Sequence, residues 1–181
     1  LSEAGRTDVA YRLLLNETFP SWLYPVSQGA TTIWERVNSY THEQGFGGNN
    51  SMNSFNHYAF GSVTNWLMQR TLGIAPDPAS PGFHHFILRP EPDPNGGLTY
   101  ASGHYDSMYG RIESSWRRLD DGTFSYQFHL PANTSATLIL PSGKTFELES
   151  GLHESPNELP RCNKSSFHPL ILHPSSFTLH R

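Results

Sequence analysis

Glu35 sits in Gly29-Ala30-Thr31-Thr32-Ile33-Trp34-Glu35-Arg36, with an aromatic on one side and a cation on the other. A carboxylate beside a Trp face suits a site where a sugar ring stacks and a glycosidic bond is hydrolysed, because that chemistry needs an acid or base close to a flat apolar platform. The competing assignment is a solvated pair of Glu35 with Arg36, the commoner fate of a glutamate. His57 lies in Asn53-Ser54-Phe55-Asn56-His57-Tyr58. Asn53, Asn56 and His57 fall on neighbouring positions of what the spacing predicts as the first turn of a helix, where polar side chains and free amides can meet a ligand. A packed, hydrogen-bonded core histidine is the other reading of His57.

Other chemistries find no support in the spacing. His84 and His85 alternate across an expected strand, so their side chains point to opposite faces and share no metal ion. No Gly-x-Ser-x-Gly elbow is present, and Gly45-Phe46-Gly47-Gly48 lacks the strand and lysine of a phosphate loop. Cys162 is the single cysteine, so no internal disulfide forms and nothing nearby lowers its pKa. No metal and no cofactor are expected.

These residues must be held by a body whose composition is informative. Among 181 residues there are 12 Lys plus Arg against 16 Asp plus Glu, a net charge of −4, with 11 Phe, 8 Tyr, 4 Trp, 15 Gly and 14 Pro. Abundant aromatics and sparse charge argue for a packed, turn-rich body and against disorder. Mild acidity argues against a nucleic-acid partner, since the densest cationic group is Arg111, Arg117 and Arg118. No apolar run approaches the roughly 20 residues needed to cross a bilayer, so no membrane partner is expected. The chain opens on Leu1, and Leu1 to Asn16 lacks the order of a signal peptide. Either its start has been removed or it is a piece of something longer.

The period of the apolar residues changes near residue 76. Thr7 to Asn16 reads as a helix capped by Thr7 or Asp8, ending before Pro20. A second helix is expected from about Ser54 to Leu72, with Phe55, Tyr58, Ala59, Val63, Trp66 and Leu67 on one face, a cap at Asn53 or Ser54, and Gly73 as its stop. Between them, Pro20 to Met52 reads as a long loop, a length usually reserved for function. Ala75 to Gly82 reads as a proline-rich linker. Beyond it, Ile112, Ser114 and Trp116, then Phe124, Tyr126, Phe128 and Leu130, alternate with polar residues around a hairpin turn at Asp120-Asp121-Gly122. Phe83 to Arg89, Leu98 to Tyr105, Thr134 to Leu140 and Thr145 to Leu148 complete a set of about six strands, which favours an antiparallel sandwich. The final thirty residues, with a crude echo between Ser165 to Pro169 and Ser175 to His180, read as an irregular or disordered tail.

Three blocks carry a more specific resemblance: Pro20 to Tyr24, Gly29 to Arg36, and Met52-Asn53-Ser54-Phe55-Asn56-His57-Tyr58-Ala59-Phe60-Gly61-Ser62-Val63. With Pro81-Gly82-Phe83, Leu88-Arg89-Pro90, Gly103 to Ser107, Tyr109 to Ile112 and Leu130 to Thr134, they closely resemble the C-terminal part of bacterial α-L-rhamnosidases, glycoside hydrolase family 78. The resemblance covers roughly residues 7 to 150. It implies an α+β multidomain fragment, the last helices of an (α/α)6 barrel followed by an antiparallel β-sandwich. Residues 1–75 would be the end of the catalytic barrel, 76–150 the sandwich, and 151–181 the tail.

The same resemblance implies hydrolysis of terminal α-L-rhamnosides with inversion, Glu35 as the general base that activates water, and His57 in contact with the bound rhamnose. Trp22 and Trp34 would line or support the pocket. The substrate partner is then a rhamnose-containing glycoside, and a further partner is the missing N-terminal barrel portion of the parent chain. No counterpart of the family's general acid is found. Glu3 and Glu17 lie on the wrong stretch, and Glu43 shares a loop with the base. Val37-Asn38 stands where Trp-Asp or a similar pair is expected. A non-catalytic reading competes: a carbohydrate-binding or structural sandwich, with Tyr100, Tyr105 and Tyr109 as a sugar platform.

Overall fold

The computed structural model describes residues 1–47, 51–155, 161–162 and 178–180. It divides into two compact units, Leu1–Trp66 and Leu67–Arg181.

The first unit carries short helices joined by irregular chain. Helix α1, Thr7–Leu14, buries Tyr11 and Leu14 on one face and leaves Leu13 exposed. Its cap is Arg6, and neither Thr7 nor Asp8 fills that role. The Asp8 carboxylate is taken instead by the Arg6 guanidinium at 3.1 Å and by Arg12, one turn later, at 3.4 Å. Tyr11 meets Trp66 edge to face at 5.1 Å between ring centroids, and the Trp66 indole N–H donates to Ser2 Oγ at 3.0 Å. A second helix, α2 at Leu23–Ser27, interrupts the stretch expected to be loop. Ser21 Oγ accepts the Tyr24 amide at 3.0 Å, and Pro25 falls in the first turn, where a missing N–H costs no intrahelical bond.

The long helix expected from Ser54 does not form there. Residues 51–59 are irregular, and helical geometry begins only at the 3₁₀ turn Phe60–Ser62, continuing into α3 at Val63–Trp66. The Ser54 and His57 amides and the Ser54 and Phe55 carbonyls are bonded to residues 32–35, and the Asn56 amide to Ser54 Oγ, which takes these groups out of a local helical ladder.

The second unit opens on a π-type turn, Leu67–Thr71, closed by the Leu72 amide donating to Leu67 O at 2.9 Å. Gly73 ends it with φ of 79°, and an added Cβ would lie 2.2 Å from Pro90 N. No residue but glycine fits this crossing. The strands that follow are β1 (Ile74–Pro76), β2 (His85–Leu88), β3 (Tyr100–Ser107), β4 (Gly110–Arg118), β5 (Phe124–Ile139), β6 (Thr145–Ser155), β7 (Arg161–Cys162) and β8 (Thr178–His180). Hydrogen-bonded order runs β1-β2-β5-β4-β3-β8, with β6 paired to β5 and β7.

The alternation read from sequence matches burial: Ile112, Ser114 and Trp116 are buried on β4, and Tyr126, Phe128 and Leu130 on β5. Two strands expected on either side of Pro131 are one 16-residue element with a break in register between Leu130 and Ser135. Asn133 takes φ of 60° in that break, and the Thr134 hydroxyl donates to Pro131 O at 2.7 Å. The first half of β5 pairs with β4, the second half with β2, so one strand serves both parts of a barrel-like sandwich. The β2–β5 pair is parallel, which corrects the wholly antiparallel expectation. Phe86 and Leu88 of β2 and Ala136 and Leu138 of β5 are all buried, as a strand pair covered by other elements requires.

Buried polar groups in this core are satisfied. The Trp116 indole N–H donates to Thr71 O at 2.8 Å, and the Ser114 hydroxyl to Leu72 O at 2.6 Å, which saturates carbonyls at the end of the π turn. Asp93 is buried and accepts the amides of Asn95 and Leu98 at 2.9 and 3.0 Å. Strand β6 runs to Ser155, and β7 and β8 lie further along the stretch expected to be an irregular tail. The rest of that tail, including most of its internal echo, lies outside the described residues.

Candidate active site

Residues 31–40 and 51–57 are clasped together by hydrogen bonds between positions far apart in sequence. The Glu35 amide donates to Ser54 O at 2.8 Å, and the His57 amide donates to Ile33 O at 2.7 Å. The Thr32 hydroxyl donates to Phe55 O, and the Arg36 guanidinium to Met52 O at 3.0 Å. At the centre, the Ser54 amide donates to Glu35 Oε2 at 2.7 Å. An amide–carboxylate bond of this length is charge-assisted and fixes one oxygen of the carboxylate. Ser39 closes the arrangement: its Oγ lies 2.7 Å from Arg36 O and 2.8 Å from Asn53 Oδ1.

Glu35 is half-buried and bonded to backbone, which distinguishes it from the solvated Glu35–Arg36 pair considered above. Arg36 points to the Met52 carbonyl. His57 is half-buried but sits in irregular chain, not in the first turn of a helix. Its ring lies 5.3 Å from the ring of Phe60, which in turn meets Trp22 edge to face at 5.9 Å.

Trp34 is buried within an aromatic cluster, edge on to Phe55 at 5.6 Å and to Tyr40 at 6.4 Å. Phe46 joins Tyr40 at 5.2 Å and Phe55 at 5.6 Å. The flat platform imagined beside Glu35 is thus largely spent on packing, and Trp34 supports the loop that carries the carboxylate. Both Trp22 and Trp34 also border an apolar hollow of about 290 Å³ together with Leu13, Val26, Ile33 and Phe60. Glu35 and His57 do not line it. A second, more polar hollow of about 450 Å³ includes Tyr24, Gln28, His42 and Glu43.

Among the described residues no group of three or more His, Cys, Asp or Glu is arranged to hold a metal ion. His85 is bound within the sheet, its two ring nitrogens 2.9 Å from Ser135 Oγ and 3.0 Å from Thr137 Oγ1. The three sandwich tyrosines do not share one face. Tyr100 lies under the Arg117 guanidinium at 4.8 Å, Tyr105 meets Phe83 at 4.5 Å with the rings tilted by 31°, and Tyr109 lies 5.3 Å from His84.

Sequence reasoning gave Ser39 and Thr32 no role and read Ser54 only as a candidate helix cap. Their contributions are a buried hydroxyl, a hydroxyl to a distant carbonyl and a backbone amide, none of which leaves a periodic trace.

The bacterial α-L-rhamnosidase six-hairpin glycosidase domain matches residues 1–71, and the bacterial α-L-rhamnosidase C-terminal domain matches residues 73–153. An α-L-rhamnosidase of Formosa agariphila is 42% identical over 149 residues, 82% of this chain and 15% of that protein. One from Alteromonas sp. is 43% identical over 142 residues, 78% of this chain and 15% of that protein. The crystal structure of the Streptomyces avermitilis α-L-rhamnosidase complexed with L-rhamnose superposes with a TM-score of 0.75 at 38% identity, covering 85% of this chain and 16% of that one. The chain therefore spans only about 15% of the length of these curated relatives. With two domain models of one family matched in succession and relatives above 40% identity across most of its length, the chain belongs to the bacterial α-L-rhamnosidases.

Proposed function

We propose that residues 1–75 form the closing part of an (α/α)6 catalytic barrel and supply the general base of an inverting α-L-rhamnosidase, while residues 76–150 form its C-terminal sandwich. The observation that carries this reading is the Glu35 carboxylate, fixed 2.7 Å from the Ser54 amide on the chain segment that also holds His57. In the reaction, a water oxygen attacks the anomeric carbon of a terminal α-L-rhamnoside as Glu35 takes the water proton. The bond to the leaving oxygen breaks, and an acid outside this chain protonates that oxygen. Room for the water requires the two carboxyl groups to stand about 6.5–9.5 Å apart. His57 contacts the sugar, and Trp22 and Trp34 support the pocket wall. The apolar side chains left exposed on the first unit, Leu13, Phe19, Val26 and Ile33 among them, suit a surface that the rest of such a barrel would cover.

A full-length frame for the test is made by placing residues 1–153 in the Alteromonas α-L-rhamnosidase in place of that protein's matching segment. In that frame Glu35→Gln is expected to lower turnover of an aryl α-L-rhamnoside by roughly a hundredfold to ten-thousandfold while sparing rhamnose binding. Near-normal turnover would remove Glu35 from the base role.

A further inference from the structure

A general base works only if its reacting oxygen is held in place, since a misplacement of about 1 Å can cost roughly a hundredfold in rate. Glu35 lies on irregular chain, so no helix or strand supplies that rigidity. Bonds that could supply it run to residues 52–57, and two of them, from Thr32 and Arg36, are surface bonds exposed to competing water. The bonds of the Ser54 amide and of Ser39 are better shielded. Ser39 is 3% exposed, and its amide and hydroxyl both reach Arg36 O, at 2.9 and 2.7 Å.

The Ser39 hydroxyl also touches Asn53 at 2.8 Å. A hydroxyl has one proton, so it donates to one acceptor at a time. Half a turn of the Asn53 amide presents its NH₂ group, and Ser39 then donates to Arg36 O while accepting from Asn53. Either way the contact joins the turn just after Glu35 to the residue just before Ser54. The path closes on itself: Glu35, Arg36, Ser39, Asn53, Ser54, and back through the Ser54 amide to Glu35 Oε2.

We infer that Ser39 is a positioning residue for Glu35, its buried hydroxyl setting where the Ser54 amide meets the carboxylate. The inference rests on Glu35 acting as the base. Ser39 has no contact with substrate in this role. Its loss therefore lowers kcat and leaves KM largely alone, because the interaction matters only as the proton moves.

Two measurements test this. In the ¹⁵N-labelled 181-residue chain, the Ser54 amide proton should shift as the Glu35 carboxyl titrates, and Glu35→Gln should flatten that excursion. Ser39→Ala is expected to lose most of it, and Ser39→Thr to keep it. In the full-length frame, Ser39→Ala should lower kcat roughly tenfold to a hundredfold with KM within about twofold, and Ser39→Thr should restore kcat. If Ser39→Ala unfolds the chain, Ser39→Cys keeps the volume with a much weaker donor and carries the same expectation. An unchanged Ser54 excursion and unchanged kcat in Ser39→Ala, or equal losses in Ser39→Ala and Ser39→Thr, would overturn the proposal. If Glu35→Gln alone leaves turnover intact while the Ser54 excursion depends on Ser39, the base assignment fails and the positioning contact stands.

Discussion

Glu35 differs from an ordinary surface glutamate in what surrounds it. One carboxylate oxygen is engaged by the Ser54 amide, its own amide is engaged by the Ser54 carbonyl, and the residue before it, Trp34, is buried within an aromatic cluster. The expected consequence in the full-length frame is a loss of turnover on Glu35→Gln without loss of sugar binding. The roles proposed for Glu35, His57, Trp22 and Trp34 come from motif resemblance. Spacing alone favours a solvated Glu35–Arg36 pair over a catalytic carboxylate. The contacts that hold Glu35 instead join residues 19 to 23 positions apart, and pairings of that kind have no local period to read.

At the scale of elements, the period-2 alternation of β4 and β5 was legible because each strand buries one face, and burial follows the alternation residue by residue. The parallel β2–β5 pair was not, since a strand's partner is set by topology and not by its own sequence. The helix expected from Ser54 failed for a physical reason: apolar offsets persist in the sequence while the Ser54 and His57 amides donate to Glu35 and Ile33. Gly73 was read as a helix stop, and its crossing against Pro90 makes the demand stronger. Gly73→Ala should cost more than the roughly 1–3 kcal/mol expected of left-handed strain alone, measurable by chemical unfolding of the 181-residue chain. At the β3–β4 hairpin, the Arg111 guanidinium donates to Asp106 at 2.8 Å and holds its carboxyl below the usual carboxylate range. A carboxyl depressed in the folded state stabilises above its ordinary range and loses that contribution as pH falls through the folded value. Asp106→Asn should therefore be slightly less stable than the parent near neutrality and converge with it in acid, as read from thermal melts across that range; the pair is exposed, so the difference is small.

For the whole molecule, 181 residues first suggest one large or two small self-sufficient domains. Two compact units are present, yet together they span about 15% of the length of the curated relatives. Half a two-carboxylate mechanism should not turn over. The 181-residue chain alone is expected to hydrolyse an aryl α-L-rhamnoside at a rate close to the uncatalysed one, and full turnover by it would show that an acid within these residues had been overlooked. The most direct measurement of the central claim replaces the base chemically. In the full-length frame, Glu35→Gly should lower hydrolysis of an aryl α-L-rhamnoside by roughly a hundredfold to ten-thousandfold. Added azide, which needs no base, should then restore cleavage and yield the β-L-rhamnosyl azide. Hydrolysis at the parent rate in Glu35→Gly would contradict the account, as would a lost activity that azide leaves unrestored.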